Sequence, residues 1–209
     1  NASSYKFKKV KLEIEGNKVV AIHEGKLPQA ESLSGTLTAG FIDYHVNGGG
    51  GRLFNFQPDI TTLKAMVSAH AMFGTTAMVP TLITDSAETM VKAADTMAAA
   101  ITAELPGVLG IHYEGPHLSI PKKGVHDERY VRPIGEVERE IFARQDLGLK
   151  IITLAPENVS DSDLAFLVSN DNKVSLGHSN ATFARAKQGV AMGADGFTHL
   201  FNAMSSFTS

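Results

Sequence analysis

From Thr38 onward, short apolar runs alternate with longer amphipathic stretches, and no other feature of the sequence constrains the fold as strongly. The short runs predict strands and the amphipathic stretches predict helices. The predicted strands are 40–43, 75–82, 108–114, 149–155, 173–178 and 196–199, and the predicted helices are 60–73, 86–104, 136–146, 161–169 and 182–192. Regular alternation of this kind predicts a parallel sheet with helical crossovers.

An α/β pattern of this kind is compatible with an open doubly wound sheet or with an incomplete (β/α)8 barrel. The glycine-rich stretch Gly48–Gly51 lacks the G-x-G-x-x-G spacing that a dinucleotide-binding fold usually carries after its first strand. Polar residues stand at the predicted strand ends, where barrel enzymes place their active sites. We therefore predict a TIM-like (β/α)8 barrel over residues 39–209. Only about six βα units are present, and a whole barrel needs roughly 250 residues, so further strands are expected outside this sequence.

Residues 1–38 predict a separate, small β element. Apolar side chains alternate before Gly16-Asn17 and continue after it, which is typical of a β-hairpin. The alternating residues are Val10, Leu12, Ile14, Val19, Val20 and Ile22. We expect this segment to form part of a small N-terminal β domain that precedes the barrel.

Charge and composition exclude several classes of partner. The net charge is -3, and the basic residues are scattered, so neither nucleic acid nor an anionic membrane is an expected partner. The chain contains no cysteine, so a bound metal has to be held by histidine and carboxylate. The sequence shows no signal-peptide pattern and no apolar run of about 18 residues, which leads us to expect a cytoplasmic protein.

A carboxylate and two histidines stand at the ends of predicted strands. Glu114 ends the third strand, His178 the fifth and His199 the sixth. The carboxyl ends of parallel strands meet at the mouth of a barrel, so these three side chains should converge. Two imidazoles and one carboxylate, with a position left for water, form a ligand set that catalytic Zn²⁺ accepts. The sequence therefore predicts a metal site at these three residues.

The other histidines have simpler interpretations. His23, in the hairpin, and His70, inside an amphipathic helix, are predicted to be structural. Strand alternation places His112 on the same face as Glu114. Two roles stay open for His112, because it could orient a metal ligand or complete a hydrogen bond of the core.

Seven segments of the chain, taken in order, resemble the successive motifs of N-acetylglucosamine-6-phosphate deacetylases. They cover nearly all of the chain after Gly40, and their number and order make the resemblance specific. The segments are Gly40-Phe-Ile-Asp43, Pro80-Thr-Leu-Ile-Thr84, Glu114-Gly-Pro116, Lys122-Lys-Gly-Val-His126, Leu154-Ala-Pro-Glu157, Gly177-His-Ser-Asn-Ala-Thr182 and Thr198-His-Leu-Phe-Asn-Ala-Met204.

The resemblance implies an amidohydrolase barrel with a small β-sandwich made from both chain ends. It implies metal ligands at Glu114, His178 and His199 that hold one divalent ion, Zn²⁺ first, with Fe²⁺, Co²⁺ or Mn²⁺ as alternatives. It further implies that the sugar is contacted by Asn202, by His126, and by the backbone around Ala203 and Val125. His126 would donate a hydrogen bond to the developing oxyanion. Loop-capping hydrogen bonds are the simpler alternative for Asn202 and His126.

One motif departs from the wider superfamily, and some functional residues are not in the sequence. His45-Val-Asn47 stands where His-x-His often supplies ligands for a second metal, so a full two-metal site is not expected and the role of His45 stays open. The general-base aspartate that the resemblance implies, at the end of strand eight, lies beyond residue 209. A loop around residues 207–209 is expected to close over the substrate phosphate.

The expected activity is hydrolysis of N-acetylglucosamine 6-phosphate to glucosamine 6-phosphate and acetate by a cytoplasmic homodimer. One alternative is an amidohydrolase that acts on another N-acyl sugar or on a cyclic amide. Another is a catalytically inactive protein that binds a sugar phosphate. We also expect the 209 residues by themselves to be neither active nor stable as a monomer, because six strands of a barrel leave two unpaired edges.

Overall fold

The computed structural model describes residues 9–16, 18–25 and 30–206, which form two compact units, Asn1–Ala39 and Gly40–Ser209. In the first unit, strands β1 (Lys11–Glu15) and β2 (Lys18–His23) pair antiparallel, with an irregularity between Glu13 and Ile14. The predicted hairpin is therefore present. Asn17 of its predicted turn, and the predicted phosphate loop at 207–209, lie outside the described residues.

The second unit alternates strands and helices along the chain. Its strands are β3 (Phe41–Val46), β4 (Gly48–Gly49), β5 (Arg52–Leu53), β6 (Thr75–Ile83), β7 (Gly110–Glu114), β8 (Leu149–Leu154), β9 (Lys173–Leu176) and β10 (Gly196–Phe197). Its helices are α1 (Ile60–Ala71), α2 (Ala87–Thr102), α3 (Glu136–Ala143), α4 (Asp161–Ser169) and α5 (Phe183–Ala191). Short 3₁₀ helices lie at Ile120–Lys122, Glu128–Tyr130 and Pro156–Asn158. Strands β4 and β5 form a small antiparallel ribbon.

Six of these strands form one parallel sheet in the order β3-β6-β7-β8-β9-β10. Strand position in the sheet follows chain order without a reversal. A doubly wound sheet reverses its order at a switch point. The described sheet is therefore singly wound, as in a barrel, and the doubly wound alternative does not apply to it.

The sheet is strongly curled, so that its two edges approach each other. Strands β3 and β10 are separated by five inter-strand spacings, which in a flat sheet would amount to about 24 Å. The rings of His45, on β3, and His199, just after β10, nevertheless have their centroids 5.1 Å apart. This curvature turns side chains from distant strands toward one point.

Side-chain caps determine where most helices begin. Asp59 accepts a hydrogen bond from the backbone N–H of Thr62 at the start of α1. The same kind of cap precedes α2, α4 and α5, and the capping residues are Ser86, Ser160 and Thr182. Each cap satisfies a backbone donor that the first helical turn leaves unpaired.

The hydrophobic core lies on the helix-facing side of the sheet, around the fully buried strand β7. The Tyr113 hydroxyl donates to the carbonyl of Met90 on α2, and its ring packs edge-on against Phe142 of α3, with centroids 5.7 Å apart. Burial on both faces is typical of parallel strands. No helix in the described part of the chain is long and apolar enough to cross a bilayer.

Candidate metal centre

Glu114, the last residue of β7, lies at the centre of a cluster of imidazoles. Its side chain is only 3% exposed. Oε1 lies 3.1 Å from His178 Nε2 and 3.0 Å from His199 Nε2, and Oε2 lies 3.1 Å from His45 Nε2. The structure therefore brings together the three residues that the sequence predicts as ligands and adds His45.

Two overlapping groups in the cluster have the spacing that a metal ion needs. One comprises His45, Glu114 and His199, and the other comprises Glu114, His126 and His178. Within each group the possible ligand atoms lie within 4.8 Å of one another. Glu114 belongs to both groups, whereas His178 and His199, which the sequence predicts as ligands of the same ion, fall in different groups.

The hydrogen bonds of His178 indicate that a cation fits beside Glu114. His178 Nδ1 lies 2.9 Å from the backbone oxygen of Lys122, and a carbonyl can only accept, so Nδ1 carries a proton. In the neutral ring Nε2 then turns a lone pair toward Glu114 Oε1, whereas in the protonated ring Nε2 carries the proton that bonds to that oxygen. Nε2 and Oε1 are 3.1 Å apart, and two atoms that both present lone pairs at this distance repel unless a proton or a cation lies between them. Ligating histidines commonly have this arrangement, with the distal nitrogen donating to a carbonyl.

The electrostatics of the cluster favour a charged carboxylate. Burial acts to raise the pKa of Glu114, but the hydrogen bonds from His178 and His45 outweigh burial and hold that pKa well below its usual value. Burial acts to lower the pKa of His178, but its hydrogen bonds with Glu114 and the Lys122 carbonyl raise it above its usual value. Since a buried negative charge requires compensation, the cluster suits a bound cation.

Left-handed backbone conformations place the two strand-end histidines. His178 has φ of 48° and His199 has φ of 53°. Such angles are uncommon for residues other than glycine, and they are concentrated at functional sites. The loop after β10 has two more of them, at Phe201 and Ala203.

His45 lies closer to the centre than the sequence indicated. It lies inside β3, near the carboxyl end of the strand, and not after a strand that ends at residue 43. Its backbone N–H donates to the Asp43 carboxylate. The backbone oxygen of Asn47, the other polar residue of this motif, accepts from the N–H of Phe54.

His126 is buried beside the cluster without bonding to the carboxylate. It is 2% exposed, and its Nε2 lies 3.9 Å from Glu114 Oε2. Its Nδ1 lies 2.8 Å from the hydroxyl of Thr84, and its ring stands edge-on to His178 with centroids 4.5 Å apart. Burial lowers the pKa of His126 to about 4, with the negative charge of Glu114 acting in the opposite direction. The ring is therefore neutral near pH 7.

The residues predicted to contact a sugar lie on loops next to these histidines. Val125 is 89% exposed, immediately before His126. Asn202 is exposed, and its backbone N–H donates to the carbonyl of His199. The backbone oxygen of Ala203 accepts from Ser179. Sugar contact at Val125, His126, Asn202 and Ala203 remains a prediction.

A buried chain of hydroxyl groups lies below the cluster, and sequence reasoning missed it. His112 Nδ1 lies 3.1 Å from Thr81 Oγ1, and its Nε2 lies 2.7 Å from Thr153 Oγ1. Thr153 contacts Thr198, which contacts Ser175, both at 2.7 Å. Both ring nitrogens of His112 thus complete hydrogen bonds of the interior. Hydroxyl side chains inside otherwise apolar strands were the signal that could have revealed this chain.

His23 and His70, which are predicted to be structural, each have a contact outside the cluster. His23 Nε2 lies 2.8 Å from the carboxylate of Glu13 in the hairpin. His70 Nε2 lies 2.9 Å from the carbonyl of Gly48. Neither residue belongs to the groups that could hold a metal within the described residues.

Imidazole and carboxylate donors at the carboxyl ends of a singly wound parallel sheet are an arrangement that metal-dependent hydrolases with a barrel fold also have. Comparison with known proteins narrows this class. A curated relative from Shewanella sp. (strain ANA-3), an N-acetylgalactosamine-6-phosphate deacetylase, is 52% identical over 182 residues, which are 87% of this chain and 46% of the relative. An N-acetylglucosamine-6-phosphate deacetylase from Haemophilus influenzae is 38% identical over 90% of this chain and 52% of the relative.

Solved structures give the same result. The N-acetylglucosamine-6-phosphate deacetylase from Pasteurella multocida superimposes with a TM-score of 0.91 at 38% identity and covers 97% of this chain and 55% of that one. The enzyme from Mycobacterium smegmatis gives 0.83 at 32% identity, over 94% and 53% of the two chains. No family model matches the chain. The chain is a homologue of the N-acetylglucosamine-6-phosphate deacetylases and matches their N-terminal part. It spans about half the length of the curated relatives it matches.

Proposed function

We propose that the whole protein hydrolyses the acetamide of an N-acetylhexosamine 6-phosphate, with N-acetylglucosamine 6-phosphate as substrate and glucosamine 6-phosphate and acetate as products. The observation that carries this proposal is the buried Glu114 carboxylate, which stands between imidazoles at the carboxyl ends of the parallel strands. The names of the relatives and of the structural neighbours support the substrate class.

We assign Glu114, His178 and His199 to one divalent ion, with Zn²⁺ as the first choice because the donors are two imidazoles and one carboxylate. When bound, such an ion supplies a Lewis acid that activates water and polarises a carbonyl. His45 lies 3.1 Å from the second oxygen of Glu114, so it would either share in holding the ion or keep its hydrogen bond to that oxygen. Fe²⁺, Co²⁺ and Mn²⁺ accept the same donors, and metal analysis of the purified protein distinguishes them.

The side chains of this chain have separate tasks in the proposed reaction. Water adds to the acetyl carbon, the C–N bond breaks, acetate leaves, and the amine takes up a proton. His126 donates to the acetyl oxygen as negative charge develops there. Asn202, with the backbone of Ala203 and Val125, holds the sugar. The general base is the aspartate expected at the end of the eighth strand, outside this sequence.

A separate observation supports N-acetylgalactosamine 6-phosphate as a second candidate substrate. The Shewanella relative is an N-acetylgalactosamine-6-phosphate deacetylase, and it shares more identity with this chain than the Haemophilus enzyme does. The two sugar phosphates differ in the configuration of one ring hydroxyl and present the same acetamide and phosphate. The centre around Glu114 would act on the acetamide of both sugars in the same way, so selectivity between the two sugars depends on contacts with the sugar ring.

Steady-state kinetics of the whole protein tests these assignments. The substrates are N-acetylglucosamine 6-phosphate, N-acetylgalactosamine 6-phosphate, unphosphorylated N-acetylglucosamine and a cyclic amide. We expect the highest kcat/KM for one of the two phosphorylated sugars. Preference for the cyclic amide or the unphosphorylated sugar would point to a different amidohydrolase. Binding of sugar phosphate by metal-loaded protein without turnover would identify an inactive binding homologue.

We further propose that the six parallel strands belong to an eight-stranded barrel and that residues 1–38 belong to a small β-sandwich. Monotonic strand order and strong curl support the barrel, and the separate compactness of Asn1–Ala39 supports the sandwich. A homodimer in the cytoplasm is proposed from the family resemblance. Light scattering of the whole protein measures its oligomeric state.

A further inference from the structure

Thr84 contacts His126 through two groups at once. It is the first residue after β6 and is 5% exposed. Its hydroxyl lies 2.8 Å from His126 Nδ1, and its backbone N–H donates to the same nitrogen over 3.3 Å. The two residues are far apart in sequence, so the pairing depends on the path of the loop that follows β7.

The backbone contact shows which nitrogen of His126 carries the proton, and the shorter hydroxyl contact adds to its effect. A peptide N–H can only donate, so His126 Nδ1 has to accept and is unprotonated. A neutral imidazole carries one proton, which is then on Nε2. Among the described residues Nε2 has no hydrogen-bond partner, and Glu114 Oε2 at 3.9 Å is beyond hydrogen-bond range. The ring therefore has a free N–H donor beside the carboxylate.

His178 has the opposite arrangement next to it. Its Nδ1 donates to the Lys122 carbonyl, so in the neutral ring its Nε2 presents a lone pair to Glu114. The rings of His126 and His178 are 4.5 Å apart, yet backbone groups of opposite polarity hold them in opposite tautomers. One ring suits coordination of a cation and the other suits donation to an oxygen.

The local packing keeps Thr84 in place. Its hydroxyl also lies 3.4 Å from the backbone oxygen of Glu114, but the single hydroxyl proton goes to the nearer acceptor, His126 Nδ1 at 2.8 Å. Gly115, the residue after Glu114, has φ of 84°, and a Cβ added to it would lie 2.2 Å from Thr84 Oγ1. The absence of a side chain at Gly115 thus leaves the space that the Thr84 hydroxyl occupies.

We propose that Thr84 is a positioning residue that fixes the Nε2–H tautomer of His126, so that this ring donates to the acetyl oxygen of the substrate. The proposal rests on the proposed function for the role of His126, whereas the tautomer itself does not depend on any substrate. In the other tautomer His126 would turn a lone pair toward the developing negative charge and would repel it.

The test is long-range ¹H–¹⁵N NMR of the whole protein, labelled at histidine and loaded with Zn²⁺. The His126 signals are assigned by their loss in His126→Ala. In the wild type we expect the shift of an unprotonated nitrogen at Nδ1 and of a protonated one at Nε2. A proton on Nδ1 would overturn the proposal, whatever the activity.

Substitutions at Thr84 test whether this residue fixes the tautomer of His126. Thr84→Val removes the shorter of the two contacts and leaves only the backbone N–H at 3.3 Å, so it should give a mixture of tautomers at His126. It should also lower kcat about tenfold, as loss of one hydrogen bond typically does, with KM and metal content unchanged. Thr84→Ser, which keeps the hydroxyl, should restore both readouts. Thr76→Val, the same change at an exposed position of β6, is the matched control and should alter neither. Wild-type tautomer and kcat in Thr84→Val would exclude a positioning role. A wild type with the expected tautomer but no turnover would instead count against the proposed function.

Discussion

At the scale of single residues, Glu114 organises the candidate metal centre because its two oxygens face different histidines. Oε1 faces His178 and His199, and Oε2 faces His45. A carboxylate that is 3% exposed is costly to bury unless its charge is compensated. Each imidazole therefore stabilises the charged carboxylate, and a cation would do so more strongly.

The first residue-scale prediction concerns metal content. His178→Ala and His199→Ala should each weaken metal binding by more than the roughly 10–100-fold that loss of an outer hydrogen-bond partner costs, because each removes a ligand. Elemental analysis of the purified whole protein and competition with a chelator measure the effect. His23→Ala, in the hairpin, is the matched control. Unchanged metal content in both cluster variants would remove these residues from the ligand set.

The sequence allowed part of this site to be predicted, and the reason is positional. Glu114, His178 and His199 stand at strand ends, so strand order alone indicates that they converge. The contacts of His126 with Thr84 and of His178 with the Lys122 carbonyl could not be predicted. They join residues on different loops, and no periodicity in the sequence describes the path of a loop.

At the scale of elements, the loop between β7 and α3 carries His126 and is anchored through His117. His117 is fully buried, and its Nδ1 donates to the backbone oxygen of Arg132 over 2.9 Å. Arg132 in turn pairs with Glu138 of α3 at 2.7 Å. Glu138 also accepts from the backbone N–H of Gly135, which stabilises the start of that helix. Both ends of the loop are thus tied to the core.

Burial of His117 predicts a dependence of stability on pH. Burial lowers the pKa of His117 from 6.5 to about 4, and the facing charges are Arg132, Glu138 and Asp163. Between pH 6.5 and 4 the unfolded chain binds a proton that the folded chain excludes. The contribution of His117 is therefore fully present above pH 6.5 and is lost as the pH falls toward 4, up to about 3 kcal/mol.

Urea unfolding at pH 7 and pH 4.5 measures this contribution. His117→Asn keeps an N–H donor near the Arg132 carbonyl but cannot titrate. The variant should be less stable at pH 7, because its smaller side chain leaves a cavity, and should lose less stability than the wild type on acidification. An equal loss in both proteins would mean that His117 is not the group that titrates.

Sequence periodicity predicted the main elements but not their irregular parts. The five helices and six parallel strands lie where the alternation of apolar runs placed them. Helix α3 ends at Ala143 and not at residue 146, because Arg144 has an extended backbone. The ribbon of β4 and β5 was not predicted, since its glycine-rich sequence has no apolar pattern. The 3₁₀ helices are too short to show a period.

At the scale of the whole chain, the two edge strands determine how the described sheet behaves in solution. Strand β3 exposes Phe41, Ile42 and Tyr44, each to about two thirds of its surface. At the other edge, Phe197 of β10 and Leu200 just after it are also exposed. Unpaired strand edges with exposed apolar side chains are templates for association.

We therefore predict that the 209-residue polypeptide, produced by itself, self-associates. Light scattering should show species larger than the 22.3 kDa chain, and their share should increase with protein concentration. Ile42→Lys places a charge on the β3 edge and should reduce association, since charged side chains protect edge strands from pairing. Lys92→Arg, on α2, keeps its charge and serves as the control. A monodisperse 22.3 kDa monomer with full deacetylase activity would contradict both the open edges and the assignment of the general base to a strand outside this sequence.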